Sequence, residues 1–416
     1  MTATVAVPSA APNDQLWPSP GRWPTPAPQR NYPCPSAVYH GSAQVTGLLK
    51  SKTQDYVLTG RQIALDLAGE EAPDSLFNER SASNLAASAA GCSNGPLSTI
   101  DILTTASLVV TGVFDGHGGD CSARYAQEAM LGAIAADRRL HAGLGGGDAD
   151  VTRTALKAAF ARVDADLLAL QETCECEPAP ARGEPSRGQH GGLAAPSPPS
   201  ASSSAPGQPV CHDGTTALVT VQLGGLLAVA NAGDSRAVLC REGQAVRLSR
   251  DHTPALRSER ERIEAAGGQV VTARGAARVL APAVQGASTV KALSVSRSLG
   301  DPDFKATGLL ISEPDVAVVP LVAGQDSFLI SASDGLWGLV GDQEAVDAVA
   351  VVLAEYARMS ATARSGAAKA AARALLKLAQ DCGSVDDITV VVTVFAWGAA
   401  SSGGSASAAG TAPRGT

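Results

Sequence analysis

VFDGHGGD, residues 113–120, places an aspartate and a histidine two positions apart among three glycines. A carboxylate is a ligand for hard cations, and an imidazole gains or loses a proton near neutral pH. Three further aspartates recur in the same kind of setting. Asp234 lies in ANAGDSRAV, Asp334 follows DSFLISAS, and Asp386 opens DDITVVV. Each stands at the end of a strand-like run or in a hairpin turn, as Asp115 does. A single such residue is accounted for by a turn aspartate that bonds its own backbone. Four in the same structural position imply that side chains from several strands meet at one edge of a sheet. Converging carboxylates repel and raise one another's pKa, and a cation relieves that repulsion. Oxygen donors without cysteine or clustered histidine suit Mg²⁺ or Mn²⁺ rather than zinc. Gly116 fits the same picture, because a residue without a side chain lets its carbonyl approach a metal closely.

The elements that would position these residues are legible as hydrophobic patterns. SLVVTGVF (107–114), VAVVPL (316–321), DSFLISAS (326–333) and ITVVVTVF (388–395) read as strands. TTALVTVQL, Gly224-Gly225 and LLAVANAG read as a hairpin with a tight glycine turn, and SRAVLCREGQAVRLS (235–249) as another. Helical spacing marks 123–140, 150–173, 344–358 and 366–380. Hairpins with helices between them predict an α+β fold of antiparallel sheets covered by helices.

Composition narrows the function. The chain has 416 residues, with 40 acids against 32 bases and a net charge of −8. That excess argues against binding nucleic acid by phosphate neutralisation. It leaves a compact anionic substrate open, because a bound metal reverses the local sign. The eight cysteines are scattered and form no C-x-x-C pair, so a reducing compartment is expected, cytoplasmic or nuclear. An organelle transit peptide is the second reading of the acid-poor N-terminus. No apolar run reaches membrane-span length. The first 41 residues are proline-rich and contain Trp17 and Trp23; a disordered tail is expected there, as it is after residue 398. A low-complexity stretch at about 175–210 reads as a solvated insertion.

Taken in order, VFDGHGG, GTTALV, ANAGDSRAVL, DHTP with ERERIEAAGG, LSVSRSLGD, SASDGLWGLV and DDITVVV resemble the motifs of type 2C metal-dependent protein serine/threonine phosphatases, the PPM family. The resemblance covers residues 42–398 apart from the insertion. It implies one catalytic domain, a four-layer α/β/β/α sandwich with two metal ions at one end. Carried over, Asp115 would bridge both ions, the Gly116 carbonyl would hold one, and Asp334 with Asp386 the other. Asp234 matches a position linked to a third, weaker ion. The implied activity is hydrolysis of phosphoserine and phosphothreonine in protein substrates by a metal-bridging hydroxide. Two divalent ions about 3.5–4 Å apart lower the pKa of a shared water. His117 would then protonate the departing alkoxide. His252, Asp301 and Asp387 read as structural. The segment between Gly267 and Leu293 would lie near a flap that shapes substrate choice.

Two departures stand out. Where many members carry an arginine and an acidic pair on the first strand, this chain has KSKTQD, residues 50–55. Lys50 would replace the phosphate-gripping arginine, with Lys52 as a substitute, and Gln54 and Asp55 the acidic pair. Lysine offers a point charge rather than a bidentate fork. Gly338 also stands where many members have an acid. That position holds no metal in the family and implies no loss of activity. Lys50 keeps open an inactive member that binds phosphoproteins as a regulator, and an enzyme acting on a small phosphorylated metabolite is a second alternative. A monomer is expected.

Overall fold

Apolar side chains alternate along the strands of this chain, and the alternation sorts them into layers. The computed structural model describes residues 34–35, 37–46, 54–66, 105–173, 212–282, 290–358 and 366–397. The elements begin with β1 (Ala37–Val45), β2 (Asp55–Asp66), β3 (Thr105–His117), α1 (Cys121–Ala136), α2 (Arg138–Gly146) and α3 (Ala149–Thr173). There follow β4 (Gly214–Thr215), β5 (Ala217–Leu223), β6 (Leu226–Ala232), β7 (Arg236–Arg241), β8 (Gln244–Arg247) and α4 (Arg257–Ala265). Next come β9 (Val270–Ala273), β10 (Ala276–Leu280), β11 (Ala292–Leu293), β12 (Leu299–Gly300) and α5 (Pro302–Lys305). The chain closes with β13 (Asp315–Pro320), β14 (Asp326–Ala332), α6 (Asp334–Trp337), α7 (Asp342–Ala357), α8 (Ala367–Asp381) and β15 (Ile388–Ala396).

Among the described residues the strands form three antiparallel sheets. One runs β1-β15-β14-β7-β8; a second runs β12-β4-β3-β5-β6-β13 with β2 added on β3; a small third runs β11-β10-β9. On β5, Ala217, Val219 and Val221 face α1–α3, while Leu218 faces the other sheet. On β14, Phe328 and Ile330 face α7 and α8, while Leu329 faces inward to the same middle layer. A period of two produces both faces at once. The product is the expected sandwich of helices, sheet, sheet and helices. The small third sheet packs with α4 on its own cluster of Ile263, Val279, Val295 and Phe304.

Both expected hairpins form, β5–β6 and β7–β8. The second turns on Glu242 and Gly243, both at positive φ, which suits a primed turn. Two element boundaries differ from the sequence reading. The sandwich opens at Ala37, ahead of the boundary expected at residue 42. The helix expected over 123–140 is broken at Asp137, whose extended backbone and side chain cap α2 by accepting from the Arg139 amide. The expected tails and the insertion lie outside the described residues, apart from strand β1 and the few residues flanking these segments. Among the described residues no helix is long and apolar enough to cross a membrane.

Candidate metal centre

Strand ends deliver four carboxylates to one mouth of the sandwich. Asp115 lies near the C-terminal end of β3. Asp234 occupies the link from β6 to β7, which carries the chain from one large sheet to the other. Asp334 opens α6 directly after β14, and Asp386 precedes β15. Oxygens of Asp115, Asp234 and Asp334 all lie within 4.8 Å of one another. Asp386 and Gly116 stand with them on the wall of a cavity of about 250 Å³, and His117 faces it as well.

The electrostatics match that crowding. Burial, then the charges of Asp55, Asp334 and Asp234, push the Asp115 carboxyl well above its usual range. Asp234 is raised in the same way, by burial and then by Asp334 and Asp251. Asp55 sits directly across from Asp115 in the β2–β3 register and is 1% exposed. Burial lifts its pKa to about 6, and the charge of Asp387 adds to the rise. Among the described residues neither Asp115 nor Asp234 forms an ion pair with lysine or arginine. A tight set of mutually repelling carboxylates fits a hard divalent cation.

The backbone around the acids is pinned from several elements. The Thr216 hydroxyl accepts from the Asp115 amide at 3.2 Å and pairs with Ser235 at 3.0 Å, next to Asp234. A Cβ on Gly116 would meet the Gln54 carbonyl oxygen at 2.3 Å, and on Gly335 the Asp387 carbonyl oxygen at 1.9 Å. Glycine at these positions lets strand and helix backbones close on the site. Trp337 donates to the Arg236 carbonyl at 3.1 Å, and the Arg236 guanidinium lies 5.2 Å from the ring centre. Arg236 also binds Asp251 and Asp342, so the turn carrying Asp234 is tied to α6 and α7.

His117 is held from outside its own loop. Its Nε2 is 2.8 Å from Asp301 Oδ2, which also accepts from the Ser298 hydroxyl at 2.6 Å. Asp301, read from sequence as structural and near the site, thus contacts His117 directly. Asp387 donates its amide locally to Asp386 and in addition accepts from the Gln54 amide at 2.7 Å. His252 is fully buried, accepts from the Gly233 amide at 3.3 Å and lies 3.1 Å from Asp315, in keeping with a structural role. Asp55 opens the second strand, not the first. Lys50 and Lys52 lie outside the described residues.

Three participants carried no role in the sequence reading. One is Thr216. Another is Asp213, whose carboxylate accepts from the amides of Cys121 and Ser122 and so caps α1, behind the GHGGD loop. The third is Arg278, on the cavity wall. The carboxylate that caps α1 belongs to a residue 92 positions further along the chain.

Comparison with known proteins agrees with this fold. A family model described as Protein phosphatase 2C matches residues 200–388. The rice protein named Probable protein phosphatase 2C 32 is 35% identical over 281 residues, which cover 68% of this chain and 56% of that protein. Protein phosphatase 2C 50, also from rice, is 34% identical over 296 residues, covering 68% of this chain and 67% of its own. A solved serine-threonine phosphatase 2C from Toxoplasma gondii superposes with a TM-score of 0.58 at 18% identity, covering 88% of this chain and 98% of that one. The chain belongs to the protein phosphatase 2C family. It spans 56% to 67% of the length of these two rice relatives.

Proposed function

We propose that this protein hydrolyses phosphoserine and phosphothreonine in protein substrates, as a monomer, with two Mg²⁺ or Mn²⁺ ions and a third, weaker one. The observation that carries the reading is the convergence of Asp115, Asp234 and Asp334 within 4.8 Å, in a cavity that His117 also lines. Asp115 would bridge the two principal ions, with the Gly116 carbonyl on one and Asp334 and Asp386 on the other; Asp234 would serve the third. When bound, such ions supply a hydroxide nucleophile at neutral pH and offset charge on the phosphoryl oxygens. The remaining steps fall to this chain. His117 gives a proton to the serine or threonine oxygen as the ester bond breaks, because an alkoxide leaves poorly without one. Asp301 holds the imidazole at the cavity wall. Asp55, behind Asp115, keeps its carboxylate in place and adds to the negative potential that draws cations in.

The test is hydrolysis of a phosphothreonine peptide with Mn²⁺, with Mg²⁺ and with EDTA, beside Asp334→Asn. Turnover that needs metal and falls by two or more orders of magnitude in the variant is expected. A folded protein that turns over nothing with either ion would return the binding-only reading.

A further inference from the structure

The cavity is lined by four carboxylates, yet its wall carries one full cation among the described residues, Arg278. This residue comes from neither large sheet. It sits on β10, the middle strand of the small third sheet. Its neighbour Val279 is fully buried in the cluster with Ile263, Val295 and Phe304. Successive side chains of a strand point to opposite faces, so anchoring Val279 in that cluster turns Arg278 the other way, toward the cavity. Leu293, paired with Val279, and the adjoining Ser294 and Val295 line the same wall. The Arg278 side chain is half-buried and makes no ion pair or hydrogen bond with any described residue. It therefore forms no salt bridge with the acids that share the cavity. A guanidinium with its donors unspent, lining the same small cavity as the acidic set, is arranged to receive an anion held between it and cations on those acids.

We infer that Arg278 grips the phosphoryl group of the substrate, so that the small third sheet supplies the anion-binding side of the site. This rests on the phosphatase reading of the same cavity. A planar guanidinium can bind two phosphoryl oxygens at once through parallel N–H donors, a fork that an ammonium point charge does not offer. It also makes substrate positioning depend on how β9–β11 pack on α4, away from the metal ligands.

The probe is inorganic phosphate, titrated calorimetrically into the full chain with Mn²⁺, for wild type, Arg278→Ala and Arg278→Lys. The same proteins are assayed for KM and kcat on a phosphothreonine peptide with neutral flanks and on one with acidic flanks. Losing a charge-assisted contact predicts phosphate affinity weakened about 10- to 100-fold in Arg278→Ala. KM rises in step on both peptides, Arg278→Lys is intermediate, and the Mn²⁺ dependence and thermal midpoint stay unchanged. Unchanged phosphate affinity overturns the inference. So does a KM rise confined to the acidic peptide, which would assign Arg278 to flanking residues instead. A wild type that binds phosphate but turns over nothing defeats the phosphatase reading while the calorimetry still decides this one. Should Arg278→Ala not fold, Arg278→Lys against wild type carries the comparison.

Discussion

His117 and Asp301 show what a single contact adds to a motif. The histidine lies two residues from Asp115, but its ring is fixed by a carboxylate 184 positions away. Asp301 holds this position with a left-handed backbone, φ 57°, a conformation that aspartate and asparagine tolerate better than most residues. Asparagine at this position therefore keeps the backbone while removing the charge that orients the imidazole. Asp301→Asn is expected to lower kcat on a phosphothreonine peptide about 10- to 100-fold, and His117→Gln by about 10²–10⁴. On p-nitrophenyl phosphate, whose leaving group departs without a proton, both losses should shrink to a few-fold. Comparing the two substrates at fixed Mn²⁺ checks this. Equal losses on both would mean that the pair supports the site without moving a proton.

Backbone elements carry the precision of the site, and they differ in how far sequence reveals them. The hairpins were readable because alternation and turn glycines act over a few residues, and Asp115, Asp234, Asp334 and Asp386 were readable because each ends or precedes such a strand. The break at Asp137 was signalled by a capping aspartate inside a continuous helical pattern, which the pattern masks. Thr216, Asp213 and Arg278 were silent, since their roles depend on partners brought close only by the sheets. Glycine reports such closeness indirectly. Gly335 in SASDGLWGLV looks like loop punctuation, yet a Cβ there would stand 1.9 Å from the Asp387 carbonyl oxygen, backbone against backbone. Gly335→Ala must therefore push α6 away from the start of β15, separating Asp334 from Asp386. A stability loss of about 1–3 kcal/mol is expected in denaturant titration, together with weaker metal dependence of turnover. An unchanged midpoint would show that α6 can shift freely.

The molecule as a whole holds two sets of charges whose pH dependences oppose each other. In one, Asp115 and Asp234 are raised well above their ordinary values and Asp55 to about 6, by burial and mutual repulsion. Carboxyls with a folded pKa above the unfolded value of 3.8 favour the fold while protonated, and that contribution is lost as pH rises through the folded value. In the other set, Glu259 is subject to burial that would raise it, but Arg297 bonds it and holds it at about 2, against an ordinary 4.5. Its contribution is present above pH 4.5 and lost as pH falls toward 2. With EDTA, the thermal midpoint should therefore peak in mildly acid solution and decline toward neutrality as the clustered acids ionise. Adding Mn²⁺ at pH 7.5 should recover that loss, by about 2.7 kcal/mol when the free ion is a hundredfold above its Kd. Asp334→Asn removes a charge that raises both Asp115 and Asp234. It should lift the midpoint in EDTA at pH 7.5 and shrink the gain from Mn²⁺. Glu259→Gln should leave that neutral limb alone and flatten the acid one. Midpoints in EDTA that keep rising from pH 5 to 8 would mean that the clustered acids are not held against their own repulsion, and the argument for a cation at this edge of the sandwich would lose its thermodynamic support.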